Sequence, residues 1–116
     1  MPVKNRFAEL QKEIAEWRQD IHQHPEILFE THRTSALVKD KLKEFGCDQV
    51  IEGIGKTGVV GVINGQTNQS GKVIGLRADM DALPINEETG LDYSSKIPGA
   101  MHACGHDGHT SMLLGA

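Results

Sequence analysis

Within the ten residues Met101–Thr110, MHACGHDGHT, stand three histidines, one cysteine and one aspartate, a density of metal-binding groups that no other stretch of the chain approaches. Thiolate sulfur and neutral imidazole nitrogen are the donors Zn²⁺ prefers. Cys104 and His106 are two residues apart, so on an extended backbone their side chains leave the same side. Gly105 and Gly108 free the backbone to turn sharply between the donors. A divalent ion held by Cys104 and His106 would polarise a carbonyl and lower the pKa of bound water towards about 7. Two blander readings compete. His- and Cys-rich tracts pick up stray metal without a role, and His102, Cys104, His106 and His109 could fill the four positions of a small structural zinc protein. Spacing argues against the latter, because structural sites usually join two separated ligand pairs.

A second chemical signal lies upstream. Leu76-Arg-Ala-Asp-Met-Asp-Ala-Leu-Pro84 carries Asp79 and Asp81 at the end of an apolar run. Acidic residues at the C-terminal end of a strand in an open α/β sheet face the ligand crevice. Sequence order therefore predicts that they meet the later loop, to orient an imidazole or to bridge a second metal. A lone aspartate there is more often a cap or turn residue, but a pair ahead of a ligand loop favours a functional Asp81. His22 and His24, at the end of a helical stretch, read as capping or packing residues rather than ligands. Gly55-Lys56-Thr57 lacks the first glycine and the following helix of a phosphate loop.

Taken with Asp20-Ile-His-Gln-His-Pro-Glu26, these blocks resemble, in order, the N-terminal part of the metal-dependent amidohydrolases. The branch is that of hippurate hydrolases, N-acyl-amino-acid deacylases and indole-acetyl-amino-acid hydrolases, within the di-zinc aminoacylase and carboxypeptidase-type peptidases. The resemblance covers nearly the whole chain. It implies Cys104 and His106 as metal ligands and Asp81 as the catalytic-site aspartate that holds a metal-bound imidazole. Asp79 stands where the wider family has a histidine ligand, so no ligand role passes to it, and none is assigned to Asp107 or His109. The resemblance further implies two divalent metals per complete site, drawn from Zn, Mn, Co or Ni, a small N-acyl amino acid as substrate, and a homo-oligomeric parent. It sets the paired glutamates, two further histidine ligands and the lid or dimerisation domain after Ala116. On this reading residues 1–116 are the N-terminal portion of a catalytic domain, incomplete and inactive in hydrolysis by themselves. The alternative is a non-catalytic binding module that keeps the opening half of the fold.

Composition bounds these readings. A chain of 116 residues suffices for one small domain, but with 38% hydrophobic residues and only three Phe, one Trp and one Tyr its core must be modest. A net charge of −4 gives no support for nucleic-acid or anionic-membrane binding. No apolar run is long enough to cross a bilayer, and the start, MPVKNR, lacks the apolar core of a signal peptide, which favours the cytoplasm. Cys47, with no histidine or acid cluster nearby, reads as a small buried hydrophobe.

The elements that must position the ligand loop emerge from periodicity. Phe7, Leu10, Ile14, Trp17 and Ile21 recur at three and four, predicting a helix from about Asn5 to His22 that stops before Pro25. A second helix is expected from Thr31 to Phe45, capped by Thr31 and closed by Gly46. Asp48–Ile54, Thr57–Asn64 and Lys72–Ala78 read as strands, the third the most apolar and central, with Gly65–Gly71 an exposed hairpin loop. Pro98-Gly99 turns the chain into the ligand loop, and a further helix begins at Gly108. The fold class is therefore α/β, the opening portion of a zinc-peptidase-like catalytic domain, with apolar surface left open for the rest.

Overall fold

In the computed structural model, which describes residues 2–116, the elements run α1 (Pro2–Gln23), α2 (His32–Glu44), β1 (Gln49–Ile54), β2 (Gly58–Val62) and α3 (His106–Gly115). The apolar stripe of α1 deepens towards its C-terminal end: Phe7 is half exposed, Leu10, Ile14 and Trp17 are half-buried, and Ile21 is fully enclosed. Pro25 stops the helix as expected, and the His24 amide closes the last turn on the Ile21 carbonyl. Trp17 packs on Phe45 with ring centroids 5.8 Å apart, joining α1 to the end of α2.

The start of α2 departs from expectation. Thr31 is the cap residue but makes no side-chain cap bond, because its hydroxyl is turned to Thr57 at 2.7 Å. Glu26 caps instead: its carboxylate accepts from the Arg33 amide at 2.8 Å and from the Thr34 amide and hydroxyl, each at 2.7 Å. A carboxylate on the free amides of a first turn satisfies them and complements the helix dipole. Gly46, at φ 80°, closes the other end, with its amide on Lys43 and that of Cys47 on Leu42.

β1 and β2 form an antiparallel pair from Gln49↔Val62 to Ile54↔Gly58, with an irregularity between Glu52 and Ile54. This ribbon packs on α2, close enough that a methyl at Gly61 would sit 3.2 Å from Leu42 and 3.3 Å from Cys47. The expected third strand, Lys72–Ala78, does not form among the described residues. Its apolar side chains face outward, Val73 92%, Ile74 85% and Leu76 72% exposed, and the sheet has two strands. A strand is made by its neighbours, and this run pairs with none of the described residues. Gly65–Gly71 is accordingly an exposed loop rather than a hairpin.

Between this run and α3 the chain is held by isolated bridges. Ile27 pairs in parallel with Ala82, the Ala82 amide donating to the Glu26 carbonyl at 2.7 Å, and Leu83 pairs with Met101. α3 begins two residues earlier than expected and lies on α1, its Gly115 so close to Ile14 that a Cβ would fall 2.5 Å from Cδ1. Besides Ile21, only Ala82 and Ala100 are fully buried apolar residues among those described, so the interior beneath the ligand loop is largely polar. No helix is long and apolar enough to cross a membrane.

Candidate functional site

The Met101–Thr110 stretch divides at Gly105. Up to Cys104 it is an extended loop pinned at Met101 to Leu83; from His106 it is helix. Gly105 is the N-cap residue of α3 at φ 91°, ψ 12°, a left-handed turn that a side chain would resist. The turn exposes Cys104 to solvent and brings His106 back over the Asp79–Asp81 segment.

His106 Nδ1 lies 2.8 Å from the Asp81 carbonyl and 3.1 Å from Asp81 Oδ1. Both are acceptors, so Nδ1 carries a hydrogen, the arrangement in which a ligating histidine is oriented by a carboxylate. Nε2 points to Asp79, whose Oδ2 is 3.6 Å away. Asp79 Oδ1 accepts from His109 Nδ1 at 2.7 Å, and the Asp79 carbonyl accepts from the Thr110 hydroxyl at 2.8 Å. The hydrogen bond from His109, opposed by partial burial, holds the Asp79 carboxyl below the usual aspartate range. The His106 and His109 rings stack at 5.4 Å. One ligand atom each from Asp79, His106 and His109 lies within 4.8 Å of the others, a carboxylate and two imidazoles of a type that suits Zn²⁺ and its neighbours.

The structure therefore brings Asp81 to His106 and adds Asp79 and His109, two residues to which the family resemblance assigned no ligand role. Cys104 is not in that trio. The signal for His109 was its place three residues after His106 on what proves to be one helix face.

Behind the loop lies a buried polar network that the sequence reading missed. His22, at the end of α1, faces Asp107 Oδ2 with Nδ1 at 2.7 Å and Glu87 Oε1 with Nε2 at 2.5 Å. Arg18 Nε donates to the same Asp107 oxygen at 2.9 Å, and its guanidinium lies over the Tyr93 ring. Burial opposes charge on Asp107, but the hydrogen bond from His22 and the charge of Arg18 keep its carboxyl below the ordinary range. Burial likewise opposes ionised Glu87, and hydrogen bonds led by that from His22 outweigh it. His102 sits beside this network, its ring 6.3 Å from that of His22, with both nitrogens buried and unpartnered, and burial lowers its pKa. Glu87 belongs to a segment that reads as irregular connection, where nothing in the pattern marks a buried acid.

The sequence pattern of peptidase family M20/M25/M40 matches residues 75–116, the span that holds Asp79, Asp81 and the ligand loop. A hippurate hydrolase of Campylobacter jejuni is 57% identical over 93% of this chain and 27% of its own length. An N-acyl-L-amino acid amidohydrolase of Geobacillus stearothermophilus is 45% identical over 97% of the chain and 30% of its own. Among solved structures, a dinuclear metal-binding peptidase of the M20 family from Bacillus subtilis superposes with a TM-score of 0.84 at 39% identity, over 92% of the chain and 29% of its own. The chain thus spans less than a third of the length of these relatives.

Proposed function

We propose that these residues, which are similar to a hippurate hydrolase and to an M20 family peptidase over less than a third of those proteins' length, form one wall of an active site that hydrolyses the amide bond of N-acyl amino acids. The observation that carries the reading is the orientation of His106: Nδ1 donates to the Asp81 carbonyl and carboxylate, and Nε2 is turned to the Asp79 side, where Asp79 and His109 cluster with it. Hippurate-like and N-acetyl amino acids are the substrates in view, in keeping with the names of the relatives.

The donor chemistry fits a divalent metal. Cys104 and His106 would serve as ligands, Asp81 would hold His106 in register, and the complete site would take two ions of Zn, Mn, Co or Ni type. Bound metal supplies a polarised carbonyl and a more acidic water. The chain's own part is to fix donors. Asp81 locks the His106 ring, Asp79 with Thr110 and His109 lines its free edge, and Gly105 sets the angle between Cys104 and His106. His109 and Asp79 are close enough to shape the site without being assigned as ligands.

Catalytic sites normally use three protein ligands and a water, and hydrolysis also needs a proton acceptor. Cys104 and His106 fall short of that set, and Glu87 is committed to His22. We therefore assign residues 1–116 to the N-terminal portion of a catalytic domain whose remaining ligands and base come from other residues, with a lid or dimerisation domain beyond, in a cytoplasmic homo-oligomer. The exposed run Val73–Leu76 supports this, being apolar surface of the kind another strand would cover. The test is release of free amino acid from hippurate and N-acetyl amino acids with Zn²⁺, Mn²⁺ or Co²⁺ present. A protein joining these residues to a full-length partner sequence should turn over and lose activity on chelation, while the 116-residue chain should not. Chelator-sensitive turnover by that chain, lost in Cys104→Ala, would overturn the division of labour. No turnover by the full-length protein would overturn the substrate reading.

A further inference from the structure

We infer that His22 is a positioning residue for the metal-ligand loop, acting as a doubly donating imidazole that pins Asp107, the residue after His106, to Glu87 and to the end of α1. The inference rests on the proposed function for its purpose but not for its geometry. Both His22 nitrogens face carboxylate oxygens, Asp107 Oδ2 at 2.7 Å and Glu87 Oε1 at 2.5 Å, and ionised carboxylates only accept. Each bond exists only if its nitrogen carries hydrogen, so the arrangement calls for the imidazolium. Charge supports it. Arg18 and His22 supply two cations against the two anions Asp107 and Glu87, and a buried charge is tolerated when it is paired and hydrogen-bonded. Both side chains of the pair His22 and Glu87 are at most 3% exposed, so solvent does not compete for these bonds.

Position gives the cluster its consequence. His22 lies in the last turn of α1 and Asp107 in the first turn of α3, so each charge also complements its helix dipole. Asp107 is bonded through its backbone to His106, and its carbonyl accepts from the Ser111 hydroxyl at 2.8 Å. Holding the Asp107 side chain therefore fixes the rotation of the first turn of α3 about its axis, and that rotation decides where His106 Nε2 points. Glu87 extends the tie to the segment after Leu83, which itself pairs with Met101 at the other end of the loop. The loop is thus clamped at both ends by a unit outside the ligand set.

Two readouts test this in the purified chain. Long-range proton–nitrogen NMR of the His22 ring should show hydrogen on both nitrogens at neutral pH, with exchange slowed by burial. A single protonated nitrogen would overturn the inference, because one carboxylate would then have to be the donor. Titration with Co²⁺, followed by its thiolate-to-metal absorption, should show affinity lowered roughly tenfold in His22→Phe and less in Glu87→Gln, whose amide oxygen can still accept. Affinity unchanged in His22→Phe, with helix content retained, would also overturn it. Should His22→Phe fail to fold, Glu87→Gln and the ring spectrum of the unaltered chain still decide. Cys104→Ala, with Co²⁺ binding followed by calorimetry because the variant lacks that thiolate, separates the two proposals. If it binds Co²⁺ as the unaltered chain does, the metal reading of the loop fails, whereas the His22 spectrum stands or falls alone.

Discussion

Gly105 and Gly108 flank His106 and Asp107, yet the structure predicts opposite responses to alanine. Gly105 holds φ 91°, and a Cβ built on it meets nothing within 4 Å, so the whole penalty of Gly105→Ala is conformational. An L residue forced into the left-handed region loses about 1–2 kcal/mol. For a chain of this size that corresponds to a fall in Tm of about 4–8 °C. Gly108 also has open space around its Cβ but lies inside α3 with ordinary helical backbone. There alanine removes the entropy cost of glycine and stabilises by about 0.5–1 kcal/mol. Gly105→Asn is the discriminating variant, since asparagine tolerates the left-handed region and is a good N-cap, so it should lose less than half as much as alanine. Thermal unfolding followed by circular dichroism at the helix band reads all three. Equal shifts for Gly105→Ala and Gly108→Ala would refute the reasoning, as would an asparagine variant no better than alanine. A loss above about 4 kcal/mol would mean a steric clash that the open surroundings do not contain.

Glu26→Ala removes the acceptor for two amides and a hydroxyl at the start of α2, so it should cost about 1–2 kcal/mol and speed hydrogen exchange at Arg33 and Thr34 first; unchanged exchange there would show that the cap is not Glu26. In a full-length enzyme Cys104→Ser should lower metal affinity by more than the roughly 10–100-fold typical of outer-shell changes, whereas Cys47→Ser, beside Gly61 and away from the loop, should leave turnover within about twofold. Similar effects of the two would count against Cys104 as a ligand. The Glu87 and Asp107 carboxyls are held below their ordinary values, so the stability their charges supply is present above about pH 4.5 and is lost as pH falls through their folded values. Melting temperature should therefore drop on acidification below about pH 4.5, and Glu87→Gln should flatten that slope; an identical slope in the variant would rule Glu87 out as a contributor.

The helices were legible because their signals are local. The stripe from Phe7 to Ile21, Pro25 after α1 and Gly46 after α2 all act within a turn or two of where they stand. Lys72–Ala78 has an equally clear local signal, yet it stays unpaired because a strand depends on an edge that local sequence cannot supply. The Thr31 cap was misread for a related reason. Its hydroxyl found Thr57, 26 residues away, and Glu26 took the amides from outside the helix. That Asp79 and Asp81 meet the ligand loop was anticipated from order along the chain, although the strand expected to deliver them does not form, and the hold of Asp81 on an imidazole was implied by the family resemblance. Glu87 was invisible because its burial comes from contact with the end of α1, 65 residues away.

The three motif blocks are tied to one another by directional bonds, and this explains why they come as a set. The His-Pro-Glu block contributes His22 to Asp107 and the Glu26 carbonyl to the Ala82 amide. The Asp79–Pro84 block contributes Asp81 to His106 and Leu83 to Met101. The ligand loop receives both. With so few fully buried apolar residues beneath it, the loop cannot be held by packing alone, and directional bonds must set its geometry. Polar contacts of this kind are strong only when complete, because a buried donor or acceptor left without a partner costs about 1–3 kcal/mol. Changing one block therefore penalises the partner in another, and residues separated by up to 85 positions behave energetically as one site.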